Sequence, residues 1–151
     1  MTTTTNEAAF EAHIEQELVS LHGYHTGKPA DLDKTTGINT AELLAFLEAT
    51  QQKELDKLFK DYRKRVPEVL AKRIADYGTI DVLKNDLKVD NIRLTLFYPK
   101  PAPSDSQVAH ESYAQNRWTV TRQQTYSTTQ PGQEIDMVLF INGLPLATLE
   151  L

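Results

Sequence analysis

The sequence predicts a mixed α+β domain, with a helix and a helical insert packed on a largely antiparallel sheet. Three observations carry that prediction. Through the first half, to about residue 87, apolar residues recur at intervals of three and four, the period of a helix. From residue 91 they alternate instead, the period of a strand. The chain then closes on two apolar runs that flank Asn142-Gly143, a dipeptide that favours the tight turn of a hairpin.

Taken in order, residues 1–6 read as frayed, and Thr4-x-x-Glu7 has the spacing of a capping box. Phe10, Ile14, Leu18 and Leu21 then recur at helical spacing, which predicts a helix over residues 7–22 that ends before Gly23. Glu7, Glu11 and Glu15 step down one side of it, either as a solvated acidic face or as contributors to a site. Residues 24–38 read as a loop. A helical insert over residues 39–87 follows. Asn39 can cap a first helix to about Gln51 with Leu43, Leu44, Phe46 and Leu47 inward. Lys53 to Arg65 reads as a second, highly charged helix with a narrow stripe of Leu55, Leu58, Phe59 and Tyr62. Its Lys57, Lys60, Arg63, Lys64 and Arg65 form the one basic cluster, read as a surface face paired to Glu54, Asp56 and Asp61, with a DNA-backbone contact as the alternative. Pro67 fits the first turn of a third helix ending near Asp76, and residues 79–87 read as one more short helix. Strands are predicted over residues 91–98, 117–124, 134–141 and 145–151, separated by a Pro101/Pro103 loop and a Pro131-Gly132 turn.

Composition removes several classes of function. At 151 residues the chain is one domain with a real core, burying about 70% of its surface. It has no cysteine, which excludes disulfides, thiolate chemistry and Cys-ligated zinc, and fits a cytoplasmic location. Its four histidines lack zinc-finger spacing, and its glycines form no phosphate loop, so ATP is not expected to bind these residues. The amino terminus is polar rather than a signal peptide, and no apolar run approaches the roughly 20 residues needed to span a membrane. A net charge of −5 makes the chain a poor independent DNA binder on electrostatics alone.

The closing hairpin is where chemistry concentrates. Asp136 and Glu150 sit in apolar runs, where a lone carboxylate is costly and is normally paired, neutralised or bound to a cation. Two such acids facing each other across a hairpin could hold one hard cation. Strand alternation decides whether they do. A strict two-residue turn puts Ile141 opposite Leu144 and Asp136 opposite Leu149, with Glu150 on the other face. An odd loop, or a bulge in either strand, puts Asp136 opposite Glu150, with Cβ atoms about 4.5–5.5 Å apart. Pro145 cannot donate to a ladder and argues against a regular two-residue hairpin, so an odd loop or a bulge is predicted. The alternative for these acids is structural: Asp136 bonding backbone at a strand start, Glu150 exposed near a frayed end.

The string Ile135-Asp136-x-Val138-Leu139-Phe140-Ile141-Asn142-Gly143-Leu144-Pro145-Leu146-Ala147-x-x-Glu150-Leu151 closely resembles the nuclease core of the restriction (motor) subunit of type I restriction enzymes. Segments at Phe46 to Gln51 and Asn116 to Ser127 resemble the same family, and Phe10-Glu11-x-x-Ile14-x-x-x-Leu18 resembles the first helix of several PD-(D/E)xK nucleases. The resemblance implies a truncated restriction-endonuclease-like core over residues 1–151, read as the N-terminal piece of a longer protein. It also implies an Asp…Glu-x-Lys site with Asp136 and Glu150 present, and the sequence stops one residue before the expected lysine. Asp136, Glu150, the Leu151 carbonyl and Glu11 would hold Mg²⁺, with Glu7 second to Glu11. The implied partners are double-stranded DNA and the methyltransferase and specificity subunits, and any ATP dependence would belong to translocase domains outside this sequence. Cleavage by these residues alone is not expected. A second reading makes the chain a docking module, with the insert binding the partner subunits.

Overall fold

A computed structural model describes residues 2–58 and 60–151, with side chains described from residue 6 onward. The elements run α1 (Thr2–His22), β1 (His25–Thr26), a 3-10 turn (Pro29–Asp31), β2 (Leu32–Asp33), β3 (Ile38–Asn39), α2 (Thr40–Leu55), α3 (Tyr62–Tyr77), α4 (Thr79–Asn85), β4 (Leu87–Val89), β5 (Ile92–Leu94), α5 (Gln107–Ala114), β6 (Trp118–Thr125), β7 (Glu134–Ile141) and β8 (Leu144–Leu149). Among the described residues, no helix is long and apolar enough to cross a membrane.

The main sheet has the order β1-β6-β7-β8, antiparallel throughout except that β1 runs parallel to β6. It is therefore an α+β arrangement with β7 central and β8 at an edge. Trp118, which opens β6, packs edge-on against Phe97 and against Tyr24. Two short hairpins, β2–β3 and β4–β5, stand apart from this sheet. The largest apolar cluster lies under the insert rather than under the sheet. Leu43, Phe46, Leu47 and Leu55 of α2 meet Val66 and Leu70 of α3, Val82 of α4, and Leu87, Val89, Leu94 and Leu96 of the β4–β5 region, all buried.

Leu144, just past the hairpin turn, belongs to that cluster and fastens the two halves together. The turn is a strict two-residue one, with Ile141 paired to Leu144 and positive φ at Asn142 (49°) and Gly143 (84°), as the primed turns require. It is buried against the start of α2. The Gly143 carbonyl accepts from Asn39 N–H at 2.9 Å. Asn142 is fully buried and satisfied: its Oδ1 accepts from Arg117 N–H at 2.7 Å, and its Nδ2 donates to the Leu96 carbonyl at 2.8 Å and to Asn116 Oδ1 at 3.0 Å. Asn39 caps α2 by accepting from Glu42 N–H at 3.1 Å, and Arg117 reaches back to Glu42 at 2.7 Å.

Several expectations are corrected. The charged segment from Lys53 to Arg65 is not one helix: Leu55 ends α2, the chain turns, and α3 starts at Tyr62 and carries Pro67 inside it. Leu58, within the turn, and Tyr62, which opens α3, both pack against the core, and α2 is already kinked at Gln51, whose side-chain amide pairs with the backbone of Thr95 at 2.7 and 2.8 Å. Phe59, placed in that segment's apolar stripe, lies outside the described residues, as does Met1. Thr4 falls inside α1 rather than before it, and its side chain is outside the described ones, so the helix does not begin at the expected capping box. The expected strand over residues 91–98 is ladder-paired only from Ile92 to Leu94, because its partner, β4, is short; Leu87 belongs to that partner and not to a helix. α5, capped by Ser106 Oγ accepting from Ala109 N–H at 3.3 Å, has no counterpart among the predicted elements. It buries no residue and so shows no apolar stripe.

Candidate functional site

The site grows from the far end of the β7–β8 hairpin. The ladder begins with Ile141 opposite Leu144 and Phe140 opposite Pro145, then shifts so that Leu139 meets Ala147. Leu146 is the extra residue, a bulge beside Pro145 where a ladder N–H is missing anyway. Past the bulge the register continues through Met137 opposite Leu149. Asp136 and Glu150 each lie one residue beyond that last pair. The Leu151 N–H donates to Asp136 Oδ2 at 2.7 Å, bringing the backbone after Glu150 onto the Asp136 carboxylate. The odd loop is thus absent, and a bulge does the work of changing the parity.

On its other side Asp136 faces Gln123. Arg122 pairs with Met137 and Gln124 with Ile135, so Gln123 occupies the position between them, with φ at +53° and the ladder interrupted. Successive strand residues ordinarily point to opposite faces. The left-handed backbone at Gln123 breaks that alternation, and both Arg122 and Gln123 reach Glu11 on α1. Gln123 Nε2 donates to the two Glu11 oxygens at 2.8 and 3.0 Å, and Arg122 Nη2 to Glu11 Oε2 at 3.4 Å. Arg122 also touches the Ala8 carbonyl at 3.3 Å and stands 4.0 Å from Glu15.

Glu11 is therefore no solvated face residue. It is only 4% exposed, while Phe10 in front of it is 53% exposed, so α1 turns its acidic side to the sheet. Glu7, Ala8, Glu11, Arg122, Gln123 and Asp136 line one open cleft of about 400 Å³. The structure brings Asp136, Glu11 and Glu7 to that cleft. Glu150 is exposed on the adjoining strand end and does not line it. Among the described residues, no three His, Cys, Asp or Glu side chains stand close enough together to hold a metal ion. Sequence reasoning missed Arg122 and Gln123, since only the unusual backbone of Gln123 puts both near Glu11.

Three members of the basic cluster are engaged in surface pairs, one of them with an acid expected from the sequence, Glu54, and two with acids that were not. Lys57 pairs with Glu54 at 3.2 Å, Arg63 with Glu48 at 2.6 Å, and Arg65 with Asp90.

A family model described as "Type I restriction enzyme R protein N terminus" matches residues 4–151. No curated protein and no solved structure matches the chain.

Proposed function

The chain belongs to the type I restriction enzyme R protein N-terminus family, and from that premise we propose that it is the DNA-cleavage module of such an enzyme, built on a PD-(D/E)xK core. The observation that carries the reading is the bulge at Leu146, past which Met137 pairs with Leu149 and the Leu151 N–H bonds to Asp136; one more residue of the same parity would face Asp136 with Glu150. A hard divalent cation such as Mg²⁺ fits this donor set in its chemistry. Such ions take oxygen ligands and are commonly held by one or two carboxylates, keeping several waters. Asp136, Glu150 and the Leu151 carbonyl would hold it, and Glu11 would join only on leaving Arg122 and Gln123. Bound there, the cation would supply a more acidic water and charge stabilisation at the scissile phosphate.

The chain's own residues do the rest. Asp136 sits on the central strand between Ile135, paired to Gln124, and Met137, paired to Arg122 and Leu149. Gln123 and Arg122 hold the Glu11 carboxylate in place and offset its charge. Duplex DNA is the substrate in this reading. The methyltransferase and specificity subunits are the partners that choose where it is cut, and ATP acts through other parts of the enzyme. The chain is expected to bind the cation at Asp136.

The test is a calorimetric titration of Mg²⁺ or Mn²⁺ into the chain and its Asp136→Ala variant. Saturable binding that vanishes in the variant supports the reading, and identical behaviour of the two refutes it. A docking role for the insert is favoured by exposed Tyr77 (60%) and Ile80 (56%) at the α3–α4 corner. An Ile80→Lys chain that still assembles normally with the partner subunits would dismiss it.

A further inference from the structure

We propose that the cleft between α3, α4 and the β4–β5 hairpin is a phosphate-binding site formed by Arg73, Lys88 and Arg93. None of these elements contributes a residue to the acid cleft, so the proposal stands independently of the nuclease reading. The cleft holds about 230 Å³ and is lined by Val69, Arg73, Asn85, Asp86, Leu87, Lys88 and Arg93.

Lys88 and Arg93 are directly paired across the β4–β5 ladder, on the solvent side of the Leu87–Leu94 and Val89–Ile92 pairs. Like charges in opposed positions destabilise a hairpin. Among the described residues neither forms an ion pair, although this chain carries five more acids than bases. An anion between them would turn that repulsion into attraction.

Arg73 comes to the same cleft from α3. Its Nη2 is held by Asp81 at 3.2 Å, and its guanidinium lies 4.1 Å over the Tyr77 ring. These contacts fix the guanidinium plane. Its Nε is buried with no hydrogen-bond partner, a costly state for an N–H donor. Asp81 does not compete for a ligand, being shared between Arg73 and Asn85 Nδ2 at 3.0 Å.

The backbone supplies a further sign. Asp86 lines the cleft with φ 56° and ψ 165°, a region occupied almost only by glycine. Strained backbone of this kind concentrates at ligand sites. Among the described residues Asp86 is the one acid lining the cleft, and with Arg73 paired to Asp81, Lys88 and Arg93 leave one positive charge in excess. That excess suits an anion, and the forked donors of arginine match the oxygens of a phosphate. The phosphate can come from a nucleic-acid backbone or from a free nucleotide.

The probe is inorganic phosphate, titrated into the whole chain in the presence of EDTA and followed by amide NMR shifts and melting temperature. Without divalent cations the acid cleft takes no part, so failure here and failure of the nuclease reading are separable. We expect saturable shifts at residues 73, 85–88 and 93, with a melting temperature that rises with phosphate. The Lys88→Gln/Arg93→Gln variant should bind at least tenfold more weakly. It should also fold, because it relieves a like-charge opposition. The Lys57→Gln/Lys60→Gln variant removes the same net charge elsewhere and should bind as the parent does. Shifts that never saturate, or an equal loss in both variants, would overturn the site. A nucleoside monophosphate and a short duplex at equal phosphate concentration then separate the sources. Tighter binding of the duplex points to a backbone phosphate, equal binding to a free one, and no shift with either removes the proposal.

Discussion

Replacing Gly143 with alanine tests how the hairpin is fastened to the insert. A Cβ at that position would lie 2.5 Å from the Asn39 carbonyl oxygen, 2.7 Å from Leu43 N and 2.8 Å from Leu43 Cβ. Two of these are backbone atoms at the start of α2, so no side-chain rotation relieves the contact. The φ of +84° adds a conformational penalty of about 1–2 kcal/mol for a residue bearing a Cβ. Overpacking adds about 1–3 kcal/mol. The sum, about 2–5 kcal/mol, is a large share of a typical domain stability of about 5–15 kcal/mol. Gly37 is the control. Its φ is +77°, but nothing lies within 4 Å of its would-be Cβ, so Gly37→Ala should lose only the conformational part. Urea unfolding of the three proteins, fitted with a common m-value, gives the comparison. Equal destabilisation by the two substitutions would show that the turn does not seat against α2, and the account of how the halves join would be wrong.

Two further substitutions test other contacts. Asn142→Ala strips the partners from the buried Leu96 carbonyl and Arg117 N–H and should cost about 2–4 kcal/mol in the same assay; a loss below about 1 kcal/mol would mean that water replaces the amide. Asp90 is held below its ordinary value of 3.8 by its hydrogen bonds from the Arg65 guanidinium. A depressed folded-state value means that the unfolded chain takes up protons first, so the contribution is present above the ordinary carboxylate pKa and is lost as pH falls through the folded one. Carbon-detected carboxyl titration should show Asp90 moving up toward 3.8 in Arg65→Gln; an unchanged titration would remove Arg65 as the cause.

What could be read from the sequence was whatever depends on local chemistry. Asn39 as a cap, Gly23 and Gly78 after helices, and Asn142-Gly143 as a turn each answer to a requirement within a few residues. The parity of the hairpin was legible as well, since Pro145 disfavours a regular ladder; that the extra residue is Leu146 rather than part of a longer loop was not. Elements that exist only through distant partners escaped. β1 is two residues long and is defined by Thr119 and Val120 on β6. Glu11 was singled out by spacing and resemblance, but its binding to Arg122 and Gln123 depends on one left-handed backbone position that no residue type announces. The apolar stripe of α1 misled, because Phe10 and Leu21 lie mostly in solvent while Glu11 turns inward.

The seated turn has a mechanical consequence for the two acids. The β7–β8 hairpin behaves as a cantilever clamped at Asn142 and Gly143, where Asn39, Arg117, Leu96 and Asn116 all grip it. Asp136 and Glu150 lie at the other end of the beam. Asp136 lies within the central strand between ladder-paired neighbours, Ile135 and Met137, whereas Glu150 rides on the end of an edge strand, exposed and past its last ladder pair. Compliance therefore grows along β8 away from the clamp, and the gap between the two carboxylates is set mainly by the looser arm. Anything that pairs with the free edge of β8 would stiffen that arm and narrow the gap without touching either acid.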